Sequence, residues 1–276
     1  GQDFEVLFSI LHGGLVSYRY GGVELFKSIP KPNFWRALTD NDVANLLPFR
    51  AGQWKIASMY SSFKYEHGRA ATDCTIDEAE NHVTITYTYH LPVKPQMDCQ
   101  VAYSVYGDGE VKVAMTMDPS AEVGELPEYS MLFTMDADYD NLTWYGLGPE
   151  ETYVDKCHAK LGLYSNKVAD NMAKYLVPQE CGNKVGVRYA RLVDAKGRGM
   201  MFEGDELSFS ALPYTPHELE NAAHVYELPQ VHHTIVRVAM AQMGVGGDDS
   251  WGSWVHPEYH IDVTKPLEFT FRFRGI

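Results

Sequence analysis

The chain has 276 residues, a formal net charge of −14 and 45% hydrophobic residues. That length and apolar content support a full hydrophobic core, and a charged fraction of 22% argues against intrinsic disorder. The acidic balance repels phosphate backbones and argues against nucleic acid as a partner, and no run of about 18 apolar residues is present to span a membrane.

In chain order, short helices are expected over Asn41 to Leu47 and Gln53 to Met59. Strand signals follow. Val83, Ile85, Tyr87 and Tyr89 alternate with Thr84, Thr86 and Thr88, and Val101, Tyr103 and Val105 repeat the pattern. Gly107-Asp108-Gly109 then joins this run to Val111, Val113 and Met115, which reads as a hairpin. Tyr129 to Met135, Leu207 to Leu212 and Ile235 to Met240 are further strand candidates. Between the last two, Thr215-Pro216-His217-Glu218 opens a helix that should run to about His224. Thr215 suits the N-cap, Pro216 the first helical position, and Glu218 closes a capping box. At the C-terminus, Leu267, Phe269, Phe271 and Phe273 alternate with Glu268, Thr270 and Arg272.

Many strands and few helices predict an all-β sandwich or barrel. One-sided alternation suits antiparallel sheets with one face in a core. No repeat and no Pro/Gly/Ser-rich linker divides the chain, so residues 1–276 read as a single domain. None of the cysteines (Cys74, Cys99, Cys157, Cys181) sits in a C-x-x-C pair, so neither a zinc ribbon nor a redox motif is expected. The chain opens on Gly1-Gln2 without a methionine or a signal peptide, and is expected to be a segment of a longer protein.

Three segments concentrate polar and aromatic residues. In Asn33-Phe34-Trp35-Arg36-Ala37-Leu38-Thr39-Asp40-Asn41-Asp42, two carboxylates lie beside an arginine. The glycine and remaining ligands of a calcium loop are missing, so Asp40 and Asp42 are expected to cap turns and a helix start, with Arg36 as a partner. In Trp144-Tyr145-Gly146-Leu147-Gly148-Pro149-Glu150-Glu151-Thr152-Tyr153, followed by Asp155, the adjacent glutamates should point to opposite sides. In Gly244-Val245-Gly246-Gly247-Asp248-Asp249-Ser250-Trp251, glycines allow a tight loop and carboxylates can hold backbone N–H groups. Trp251 is then either presented to a ligand or folded down as a lid on the core. His232 and His233 should face opposite ways in a strand, so no metal site is expected.

Together and in this order, these segments resemble the C-terminal, small-chain domain of the bacterial β-galactosidases of glycoside hydrolase family 2. Pro178 to Gly182, with Gly186 and Arg188, adds a weaker match. The resemblance runs from about Phe4 to Phe273 and implies a large antiparallel β-supersandwich similar to galactose mutarotase. It implies that both catalytic glutamates lie on an upstream TIM barrel, so no catalytic residue is expected in this chain. It implies that Trp251 is the sugar-stacking residue of a shared site, with Gly246, Gly247, Asp248 and Asp249 shaping its loop. Galactoside substrate, the barrel and a homo-oligomer are the implied partners. No cofactor is expected here, since the family's Mg and Na sites lie on other domains. The location implied is the cytoplasm, with the periplasm as the alternative.

Two competing readings remain open. A free-standing aldose 1-epimerase would need a general acid and base across a sugar-sized cleft, for which His217, His232 and His256 are available. A carbohydrate-binding or assembly module would use Trp35, Trp144, Trp251 or Trp254 without catalysis.

Overall fold

The computed structural model describes residues 1–60, 65–66, 69–70, 72–249 and 251–276. Three strands open the chain, β1 (Phe4–Ser9), β2 (Gly14–Tyr20) and β3 (Val23–Glu24), paired as a small antiparallel sheet. Then come β4 (Lys31–Asn33), α1 (Asp40–Ala44), α2 (Leu47–Tyr60) and the paired two-residue strands β5 (Tyr65–Glu66) and β6 (Arg69–Ala70). The main sheet takes β4 and every strand after β6: β7 (Thr72–Glu78), β8 (His82–Leu91), β9 (Met97–Tyr106), β10 (Val111–Met117), β11 (Glu128–Asp136), β12 (Asn141–Gly148), β13 (Lys160–Lys167), β14 (Lys184–Val193) and β15 (Gly199–Leu212). It continues, after α3 (Pro216–Asn221), with β16 (His233–Gln242) and β17 (Leu267–Gly275).

The expected antiparallel all-β architecture with few helices is present. Its two layers arise because the main sheet forks at β15. Met200 to Gly204 pairs with β17, and Ser208 to Leu212 pairs with β16. Glu206, between the two halves, has a φ of 55°. One arm runs β17-β10-β9-β8-β7, and the other runs β16-β11-β4. The arms face each other through aromatic rings. Phe133 of β11 lies 5.3 Å from Phe202, 6.0 Å from Phe271 and 5.5 Å from Phe273, each edge-on. Edge-on rings add to the roughly 1.5–3 kcal/mol that burial of each such side chain contributes. One hydrophobic cluster includes side chains of the small sheet, both arms and α2.

The alternation is realised as read. Along β17, Leu267, Phe269, Phe271 and Phe273 are buried and their neighbours exposed. The hairpin turn closes at Gly109, whose φ is +89°. Thr215 and Glu218 form the expected capping box, although α3 ends at Asn221. The other two helices differ from expectation at their junction. Pro48 does not follow a helix but sits in the first turn of α2, where its missing N–H costs no hydrogen bond. The chain reverses just before it, at Leu46 with φ 60°.

A buried charged network crosses the second arm. Arg237 of β16 donates to Glu128 of β11 at 3.0 Å and to both oxygens of Glu180, one of them at 2.9 Å. Glu128 also accepts from Asn33 at 2.7 Å and from Ser130. Burial, and then the neighbouring Glu180, push the Glu128 carboxyl up to about 7, against the opposing pull of Arg237.

Candidate functional site

The loop ending in Trp251 rests on groups from the other two sequence segments. Arg36 is fully buried, and its guanidinium grips Asp42 at both oxygens, at 3.1 and 2.9 Å. Its remaining donors reach the carbonyl oxygens of Met243, at 2.5 Å, and Gly244, at 2.9 Å. Asp42 is held in turn by the start of α1. Its carboxylate accepts from the Thr39 N–H at 3.0 Å, and its own N–H donates to Thr39 Oγ1 at 3.1 Å. The expected pairing and capping role of this segment is therefore present. Asp155, just past the second segment, accepts from the N–H groups of Val245 and Gly246, both at 2.8 Å.

From this footing the loop turns back tightly. A Cβ on Gly247 would lie 2.6 Å from the Ser253 carbonyl oxygen, so no other residue fits. Asp249 accepts from the N–H groups of Trp251 at 2.8 Å and Ser253 at 3.2 Å. Gly252, with φ +114°, brings the chain against the end of α1, where a Cβ would meet the Ala44 carbonyl oxygen at 2.8 Å. Asp248 is engaged by His256 at 2.8 Å, a contact that raises the imidazole pKa above its ordinary value.

Trp251 emerges from this frame 83% exposed. The lid arrangement is thereby excluded, because a lid would be buried. Nearby Trp254 is different: the Arg50 guanidinium lies 3.9 Å above its ring and is itself paired with Glu125. On the α1–α2 junction against which Gly252 packs, Val43, Leu46 and Phe49 are also exposed, Phe49 at 87%. Trp35 and Trp144 are corrections to the binding-module reading. Both are buried, with their indole N–H groups donating to Glu220 and to the Leu147 carbonyl oxygen.

The three histidines available to an epimerase have separate neighbours. His217 lies near Lys55 and Glu220, the His232 ring lies tilted beside that of His233, and His256 pairs with Asp248. A hollow of about 440 Å³ is lined by Tyr153, Cys157, Asn183, Arg188, Glu206 and Gln242 among others. No described histidine lines it, and its one carboxylate, Glu206, is paired with Arg188 at 2.8 Å. Glu150 is exposed while Glu151 binds Lys156, Tyr175 and the Gly182 N–H, so the adjacent glutamates diverge as expected. The expected opposition of His232 and His233 is overturned. Their ring centroids are 4.0 Å apart, because His232 precedes β16 and strand alternation does not yet govern it.

Sequence reasoning missed Arg36 as a support for the loop's carbonyls, named Asp155 without a role, and missed Gly252 altogether. The available signal was only that each lies in or beside a segment already dense in glycine and charge.

Comparison with known proteins adds the lineage. Residues 1–273 match the family model described as "Beta galactosidase small chain". A β-galactosidase of Halalkalibacterium halodurans is 42% identical over 98% of this chain, which spans 26% of that protein. A β-galactosidase small subunit of Latilactobacillus sakei is 33% identical over 98% of this chain and 92% of its own length. Among solved structures, an aldose epimerase homologue from C. elegans aligns over 99% of this chain and 95% of its own, with 8% identity and a TM-score of 0.49. The chain belongs to the β-galactosidase small chain family.

Proposed function

We propose that this chain is the non-catalytic small-chain part of a glycoside hydrolase family 2 β-galactosidase, and that Trp251 is a platform for the sugar rings of a galactoside. One observation carries the reading: a bare tryptophan, 83% exposed, stands on a loop anchored by a fully buried arginine. A mobile loop would lose entropy on ordering around a sugar, whereas an anchored one loses little. Asp248 and Asp249 shape the loop, and their oxygens are engaged by His256 and by backbone N–H groups. A retaining glycosidase needs two carboxyl groups roughly 5–5.5 Å apart flanking the bond. In this reading both come from an upstream TIM barrel.

The relatives support that division. The chain spans about a quarter of the length of one named β-galactosidase, and nearly all of a protein named as a small subunit. Val43, Leu46 and Phe49 beside the loop are the apolar surface on which the barrel would rest, closing the site from one side. We place residues 1–276 in one domain because a single core cluster draws on both sheets and α2. Glycosidic chemistry asks no cofactor of this segment, and the assembled enzyme is proposed to be a homo-oligomer. Four free thiols fit the cytoplasm, and among the described residues no helix is long and apolar enough to cross a membrane.

The test is Trp251→Ala in the assembled enzyme with a nitrophenyl galactoside. Stacking holds substrate without moving protons, so KM should rise by about tenfold, equivalent to roughly 1.4 kcal/mol, with a smaller change in kcat. An unchanged KM would remove Trp251 from the site. The purified chain alone should not hydrolyse the same substrate, and robust turnover would overturn the division of labour. Accelerated mutarotation of fresh galactose would instead favour the epimerase.

A further inference from the structure

We propose that Glu218, His232 and His233 form a zinc-binding site that clamps α3 to the start of β16. One ligand atom from each residue lies within 4.8 Å of the other two. His233 Nε2 and Glu218 Oε2 are 3.1 Å apart. A zinc ion about 2.0–2.2 Å from each of its ligands sets tetrahedral ligand atoms about 3.4 Å apart. The pair on His233 and Glu218 is therefore already close to that spacing, and the third ligand atom, on the exposed His232 ring, lies within 4.8 Å of both.

The surroundings orient the ligands. Glu218 Oε2 accepts from the Thr215 N–H at 2.7 Å and from Thr215 Oγ1 at 2.9 Å, which fixes the carboxylate at the base of α3. His232 Nδ1 lies 3.1 Å from the Gln230 carbonyl oxygen. A carbonyl only accepts, so Nδ1 carries the hydrogen and Nε2 keeps its lone pair for a metal. This is the carbonyl-backed arrangement common among zinc histidines. Lys27 steadies the backbone rather than the ring: its Nζ donates to the His232 carbonyl oxygen at 3.1 Å and pairs with Asp136 at 3.1 Å.

The donor set selects the class of ion. Two imidazoles and one carboxylate suit zinc, while magnesium and calcium ask for oxygen-rich shells. His232 is exposed and His233 is buried, so a fourth position is open to water and the site is reached from the surface. For Nε2 of His233 to bind the metal, the single hydrogen of the ring must sit on Nδ1, so binding exchanges the hydrogen bond between Nε2 and Glu218 for two metal bonds and moves that hydrogen to Nδ1.

The experiment is calorimetric titration of the untagged chain with zinc chloride at pH 7.5, repeated on His232→Ala, His233→Ala and Glu218→Gln. The result expected is saturable binding of one ion per chain, weakened about tenfold or more by each substitution. Zinc should also raise the thermal midpoint of the parent chain but not that of His232→Ala. Because His232 is exposed, that variant should keep the parent's circular dichroism, so loss of binding is not loss of fold. Saturation only at millimolar zinc would overturn the site. Binding that survives both histidine substitutions would place the metal elsewhere and overturn it equally.

Discussion

Arg36 and Arg237 are both buried and both held by carboxylates, but they sit in different settings. Arg36 faces one carboxylate, Asp42, and spends its other donors on two backbone carbonyl oxygens of the Trp251 loop. Arg237 is the one described arginine or lysine within ion-pair distance of its two glutamates, although the charge of Glu180 also acts on Arg36, and it ties β16 and β11 to the chain around Glu180. The first arrangement is charge-balanced and points outward, into a loop. The second sets two glutamates against one arginine and points inward. A buried ion pair contributes little net stability once desolvation is counted, yet removing one partner costs a great deal. Arg36 is thus a positioning residue whose loss should be felt at Trp251, while Arg237 should be felt in folding alone.

The largest effect should come from Arg237→Ala. It strands Glu128 and Glu180 without their cation and should cost about 3–5 kcal/mol, read from urea unfolding. A loss below about 1 kcal/mol would mean that the glutamates simply take up protons, and the comparison would fail on this side.

The same network should give stability a pH dependence. The Glu128 carboxyl is pushed up to about 7 by burial, from an ordinary 4.5. Between those values the folded chain keeps a proton that the unfolded chain has released. Stability contributed by that proton is complete below about 4.5 and is lost as pH rises through about 7. Glu128→Gln cannot titrate, so its urea midpoint should fall less across this window than the parent's. Equal slopes in the two proteins would show that Glu128 is ionised throughout.

On the other side, Arg36→Lys keeps the charge but loses the planar fork, and with it the simultaneous hold on Asp42 and two carbonyls. A stability loss of about 1–3 kcal/mol is expected. The sharper readout is functional. In the assembled enzyme, KM for the galactoside should rise, and Trp emission of the isolated chain should change as the loop loosens. If Arg237→Lys moved KM as far at equal stability loss, the distinction between a positioning and a folding arginine would be gone.

How much of this was legible depends on the range of the interaction. Alternation is local, so β8, β10 and β17 could be read directly, and so could the Thr215 capping box. The fork in β15 could not, because it is set by which neighbour each half meets, and its midpoint is polar. Strand β13 hid for another reason: both its faces are largely open, so no apolar stripe marks it. At the site, glycines announced a shaped loop and Trp251 an aromatic surface. Whether the ring stood out or folded down depended on Arg36, 207 residues from Met243, and on Asp155, 90 residues from Val245. His232 was misread because a rule for strands was applied one residue before the strand begins.

The smallest expected effect lies one step behind Arg36. Thr39 accepts from the Asp42 N–H and donates its own N–H to the Asp42 carboxylate, so it orients the partner that orients the arginine. Thr39→Ala removes the hydroxyl and the γ-methyl. The backbone N–H still reaches Asp42, and the Arg36–Asp42 pair remains buried. Loss of the cap should cost about 1 kcal/mol of stability. Because Arg36 keeps its hold on the carbonyls of Met243 and Gly244, KM should stay within about twofold of the parent, a difference below roughly 0.5 kcal/mol. Thr39→Ser should restore the lost stability, since it returns the accepting oxygen. A rise in KM as large as that of Arg36→Lys would show that the whole cap, rather than the arginine's fork, sets the height of Trp251.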